Sequence, residues 1–171
     1  MSEELTLAEK ITVPSGLINA IIAGYQVALS KTLGKGSMAM TQLLIRDIGD
    51  VLEHLLEDAG FHLHEISDLR EDLKKAFSML GISDNVAVET PSNGASQGDK
   101  YVIKIYDSIF KPVARLLEKK NIPYTLSPES FIAAAIVRMA IRKIKPDAQV
   151  RITVKPQKTP DDPLVVEVTV R

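Results

Sequence analysis

Three short runs in this chain have residue types and spacings that bear on chemistry. Gly34-Lys35-Gly36-Ser37 brings together the components of a phosphate-binding loop. Such a loop needs four residues between its glycines and Lys-Ser or Lys-Thr directly after the second, set between a strand and a helix. Here the lysine lies between the glycines, and a helical stretch precedes them. A nucleotide loop is therefore not expected. The free N–H groups of the following helix could hold a carboxylate or phosphate, but a plain helix-to-helix turn explains the same residues. His62 and His64 flank Leu63 and, in an extended segment, would point to one side as metal ligands do. The nearest carboxylates, Glu57, Asp58 and Glu65, have no diagnostic spacing, so no metal is expected. Asp107-Ser108 ends an apolar run and could open an active site. Without a neighbouring histidine or a glycine elbow, helix capping is the favoured reading.

A fourth set is apolar. Met38, Met40, Met79 and Met139, with Tyr106, Phe110 and Phe131, could line an adaptable pocket, because methionine fills irregular gaps. They could equally form an ordinary core. Met38, Tyr106, Phe110, Phe131 and Met139 are the candidate ligand-binding residues. No catalytic constellation and no cofactor site is visible, so the chain does not read as an enzyme. The basic pairs Lys74-Lys75, Lys119-Lys120 and Arg142-Lys143 stand late in their helices, where cations suit the dipole.

Composition narrows the class. The chain has 171 residues, 45% of them hydrophobic, which suits one domain (1–171) with a substantial core. Its 21 basic and 22 acidic residues leave a net charge of −1, so there is no global basic field for nucleic acid. Cysteine is absent, which removes disulfides, thiolate metal sites and thiol nucleophiles together. The acidic start Met1-Ser2-Glu3-Glu4 does not fit a secretory signal, and no apolar run is long enough to span a bilayer. A cytoplasmic location is expected. Only four asparagines and five glutamines are present, which leans toward a thermophilic source.

These residues must be positioned by a definite set of elements. Residues 1–14 read as an extended lead-in, with Ile11-Thr12-Val13 strand-like before Pro14. Helices are predicted over Leu17–Leu33 and Ser37–Ala59. Gly24 in the first is a residue of poor helix propensity, explained by tolerance or by close approach of another helix. In the second, Leu44, Ile48, Val51, Leu52, Leu55 and Leu56 read as the inward face. Arg46, Asp47, Asp50, Glu53, Glu57 and Asp58 read as the polar one. A third helix follows Asp68, which pairs with Glu71 in the pattern of a capping box, and ends at Gly81. The period then switches from 3.6 to 2. Val86–Thr90 and Tyr101–Tyr106 read as a hairpin with the long loop Pro91–Lys100. A helix over Ser108–Lys120 carries Pro112 in its first turn. The helix from Ser127 to Lys145 is apolar almost all round, apart from a stripe of Arg138, Arg142 and Lys145, and so is expected to be buried on most sides. Val150–Lys155 and Leu164–Arg171 form a second hairpin. The predicted fold is α+β, an antiparallel sheet of two hairpins covered by helices in the order ααα-ββ-αα-ββ.

That order resembles the 4-vinyl-reductase domain, a prokaryotic family related in fold to the core subunits of the TRAPP vesicle-tethering complex. The matching pieces are Thr32–Ser37 leading into the second helix, the run Leu73–Glu89, the strand end Tyr106-Asp107-Ser108-Ile109-Phe110, and the closing segment Ser127–Val170. The resemblance implies homodimerisation through the N-terminal helices and binding of small hydrophobic molecules in signalling or regulatory proteins. One branch of the family is connected with reduction of a vinyl group in bacteriochlorophyll synthesis. Many relatives carry cysteines in the closing helix and hairpin. This chain has Ser127, Ser130 and Ala133–Ala135 there, so metal, redox and acylation roles resting on those thiols do not carry over.

Three functions follow as expectations. The first is a non-enzymatic homodimeric sensor of a small hydrophobic ligand, with its pocket between the sheet and the helices Ser108–Lys120 and Ser127–Lys145, signalling to a protein partner. The second is a structural adaptor without ligand, with a packed core and an exposed apolar patch. A reductase-type enzyme ranks third. The dimer is expected on physical grounds as well, because Leu17–Leu33 and Ser37–Ala59 carry more apolar surface than one small sheet covers.

Overall fold

A computed structural model describes residues 15–63, 68–89, 99–124, 127–155, 157, 159 and 161–171. The lead-in 1–14 with its strand-like Ile11-Thr12-Val13, the end of the His62–His64 linker, and Thr90 with nearly all of the loop after it lie outside the described residues. The elements are α1 (Ser15–Leu33), α2 (Ser37–Asp58), α3 (Leu69–Met79), β1 (Asn85–Glu89), β2 (Asp99–Tyr106), α4 (Lys111–Lys119), α5 (Pro128–Arg142), β3 (Val150–Lys155) and β4 (Leu164–Val170). The chain has the expected α+β fold and element order. Gly34-Lys35-Gly36 is a 3₁₀ turn between α1 and α2, with Gly34 at φ +50°, so this run is the helix-to-helix turn.

The strands form one antiparallel sheet in the order β1-β2-β4-β3. Both predicted hairpins are present, and they join through β2 and β4, with Ile103 opposite Val166 and Tyr101 opposite Val168. Side chains alternate across a strand. One face carries Val86, Tyr101, Ile103, Ile105, Ile152, Val166 and Val168, all buried. Helices α3 and α5 pack against strands of the sheet. The other face carries charges, with Glu167 bridged by Lys100 at 3.1 Å and by Lys155 from the opposite flank.

Helix α5 is the centre of the fold. Twelve of its residues are buried, and it contacts α2, α3, β3 and β4. Its start follows the sequence: Ser127 accepts a hydrogen bond from the Ser130 N–H at 3.2 Å, and Pro128 takes the first helical position. The predicted capping box of α3 is not made, because Asp68 forms no side-chain cap hydrogen bond. The C-terminal stops are as expected. Gly60 at φ +76° closes α2, with Gly60 N–H bonded to the Glu57 carbonyl and Phe61 N–H to the Leu56 carbonyl, both at 2.9 Å.

The orientation of α2 differs from the sequence reading. Ile48, Leu52 and Leu56 face the core, but Val51 and Leu55 point outward. Asp50 and Glu53, read as solvent-facing, turn toward α5. Arg138 donates to Asp50, and Arg142 Nη1 reaches both Glu53 oxygens at 2.9 and 3.1 Å. Gly49 is the point of closest approach, because a Cβ there would lie 3.2 Å from the Arg138 guanidinium. The arginine stripe of α5 therefore needs carboxylate partners, and it rotates α2 until Asp50 and Glu53 supply them. Part of the apolar face of α2 is carried to the outside as a result.

Candidate functional site

The five candidate ligand residues do not gather around one cavity. Phe110, Phe131 and Met139 are buried. Tyr106 ends β2 and, alternating with the buried Ile105, stands on the charged outer face of the sheet. Met38 lies in the first turn of α2, with its side chain outside the described residues. Phe110 borders a cavity of about 20 Å³ with Ser108, Lys111, Tyr124 and Glu129, which is room for about one water. Met139 borders a separate open groove of about 420 Å³, floored by Phe61 and Leu63 and rimmed by Glu53, Glu57, His62, Arg142 and Lys143. Phe131 borders neither.

The smaller cavity contains a group that the sequence reading used only as a partner for the α5 dipole. Glu129 is fully enclosed in the first turn of α5. Its carboxyl accepts hydrogen bonds from the hydroxyls of Ser108, of Tyr124 at 3.2 Å and of Ser127 at 2.8 Å. Burial pushes the Glu129 carboxyl above its ordinary range, and the hydroxyl donors hold it back in part. Burial pushes the Tyr124 hydroxyl well up, and the Glu129 charge adds to this. The three donors come from the β2–α4 junction, the α4–α5 connection and the α5 N-cap. Glu129 therefore ties three chain segments together. Asp161 and Lys111 border the cavity; Lys111 and Arg115 each lie 2.9 Å from Asp161, and their hydrogen bonds hold the Asp161 carboxyl below its usual value.

This arrangement positions the segments that meet at Glu129. Every donor in the Glu129 cluster is a hydroxyl held by that one carboxylate. The capping expected of Asp107-Ser108 is not made: α4 starts after Phe110 without a side-chain cap, and Ser108 Oγ instead accepts from the Phe110 N–H at 3.1 Å in the turn before the helix. Among the described residues, no group of three His, Asp or Glu side chains is placed to hold a metal ion. His62 is exposed and His64 lies outside the described residues. A signal for the buried carboxylate was present in the sequence: Glu129 begins a helix that is apolar on almost every side, between Ser127 and Ser130.

The second candidate is a surface. Helix α1 lays Ile18, Ile22, Ala23 and Val27 against the body, and Asn19 donates to the Ile109 carbonyl at 3.1 Å. Its opposite face leaves Leu17, Ile21 and Tyr25 exposed, and α2 leaves Met40, Leu43, Val51 and Leu55 exposed. Isolated exposed apolar residues are ordinary, and these two runs are the candidate for a contact surface.

No family model matches this chain. An uncharacterized protein of Methanocaldococcus jannaschii is 38% identical over 133 residues, which is 75% of this chain and 64% of that protein. The alignment thus spans less than two thirds of the relative's own length. That organism is a thermophilic archaeon, in keeping with the source expected from the amide-poor composition. Among the described residues, no helix is long and apolar enough to cross a membrane.

Proposed function

We propose that this protein is a non-enzymatic, cytoplasmic adaptor domain that works as a homodimer assembled through α1 and α2. The outward turn of α2 is the observation that carries this reading. The chain places Arg138 and Arg142 against Asp50 and Glu53 along the α2–α5 contact, and leaves Val51 and Leu55 exposed. A helix serving only its own core would have the reverse arrangement. The packed α5 and the exposed apolar face match the adaptor expectation. A likeness to the 4-vinyl-reductase domain and, through it, to tethering-complex subunits is part of the proposal.

The groove beside Met139 favours a second reading, a sensor of a small hydrophobic molecule. Phe61, Leu63 and Met139 supply an apolar floor, and charged residues supply a rim that could orient a polar end. The site then lies between α2, α5 and the segment after α2, away from the expected position under α4. Native mass spectrometry of protein purified without detergent separates the two readings. A bare dimer supports the adaptor. A dimer carrying extra mass, released on denaturation, supports the sensor. A monomer contradicts both.

A further inference from the structure

Helix α1 has no charged residue from Ser15 to Ser30. At 100° per residue, its exposed positions Leu17, Ala20, Ile21, Gly24, Tyr25 and Ala28 fall within one arc of about 140°. Leu17 is 54% exposed, Ile21 50% and Tyr25 67%. Together with the exposed apolar residues of α2, they leave on the order of 800 Å² of apolar side chain uncovered, the share one protein gives to a standard interface.

Gly24 stands near the centre of that arc and at the midpoint of α1, nine residues from Ser15 and nine from Leu33. The folded protomer does not need a glycine there. The backbone is ordinary helix, and nothing lies within 4 Å of a Cβ built at Gly24. Glycine in a helix interior costs about 1 kcal/mol relative to alanine. The close approach that would justify it is therefore not to any described part of the same chain. Ala20 and Ala28 stand one turn away on either side, so the small residues are symmetric about Gly24.

We infer that α1 packs antiparallel on α1 of a second copy, with the two-fold axis passing at Gly24. In a two-fold contact the residue on the axis meets itself. Ala20 of one copy then faces Ala28 of the other, and small side chains let the two backbones approach closely. Leu17, Ile21 and Tyr25 close over the flank of the crossing. This inference rests on the homodimer proposed above and fixes which helix forms its centre and in what register.

The chain has no cysteine, so Gly24→Cys introduces a single thiol. A disulfide needs Cα atoms about 4.4–6.8 Å apart. Under mild oxidation, Gly24→Cys should cross-link into a covalent dimer. Leu17→Cys should not, because seven residues from the axis in an antiparallel pair place the two thiols about 21 Å apart along the helix. Gly24→Leu should keep or raise the protomer's melting temperature while weakening association at least tenfold. A dimer in which Leu17→Cys cross-links as well as Gly24→Cys, or in which Gly24→Cys does not cross-link, overturns the crossing and leaves the dimer standing. An unmodified chain that sediments as a monomer overturns the dimer itself.

Discussion

Replacing Val51 and Leu55 together by lysine should dissociate the protein without unfolding it. Val51 is 59% exposed and Leu55 48%. Covering a whole side chain of this kind is worth about 1.5–3 kcal/mol, so the exposed half of each is worth about 1 kcal/mol. A two-fold dimer buries each residue twice, giving about 4 kcal/mol and close to a thousandfold in dissociation constant. Lysine is the suitable replacement because α2 is already acidic, with Asp47, Asp50, Glu53, Glu57 and Asp58 against Arg46. Lysine is also a good helix former. Sedimentation velocity over a dilution series reads the association, and far-UV circular dichroism reads the fold. Leu56→Lys is the contrasting variant: Leu56 is 2% exposed, and a charge there should abolish folding. A Val51→Lys, Leu55→Lys protein with the wild-type dissociation constant would show that these side chains are not covered in the assembly.

Three further outcomes are expected. Burial holds the Glu129 carboxyl above its ordinary value of 4.5, so the native state binds its proton more tightly than the unfolded chain does. The stability contributed by that proton is complete below pH 4.5 and is lost as pH rises through the raised folded value. Denaturant midpoints of Glu129→Gln between pH 4 and 8 should therefore lack that part of the decline seen in the wild type. An unchanged pH profile would count against the burial effect. The pair Glu53–Arg142 should show a coupling of about 1 kcal/mol in a double-mutant cycle with Glu53→Gln and Arg142→Met, because Arg142 is partly exposed. Zero coupling in urea denaturation would mean that the pair does not hold α2 on α5. Gly60→Ala should destabilise by about 1–2 kcal/mol in the same assay, since φ +76° is a left-handed conformation that a Cβ opposes.

Much of the fold was legible because its signals are local. Ser127-Pro128 marks a helix start, Gly60 and Gly81 mark stops, and the change of period at Val86 marks the sheet. The rotation of α2 was not legible in the same way. Val51 and Leu55 lie within an apolar stripe, and only the placement of Arg138 and Arg142, almost ninety residues away in sequence, decides which part of that stripe faces inward. The Asp68–Glu71 pattern shows the opposite error. A local motif with the right spacing makes no cap hydrogen bond here.

The candidate site was less legible still. Phe110, Phe131 and Met139 are buried, yet burial alone does not say that they share a cavity. Tyr106 shows how one step along a strand decides the face, since Ile105 beside it is buried in the core. Glu129 was visible only as a dipole partner. Its three hydroxyl donors lie up to 21 residues from it in sequence, and no sequence pattern brings Ser108 and Tyr124 to it.

The central claim is that two copies cover the outward faces of α1 and α2. Sedimentation velocity of the unmodified chain, from roughly 0.5 to 50 µM, tests it most directly. A species of twice 18.8 kDa should persist to the low end of that range. A single species of 18.8 kDa at every concentration would contradict it.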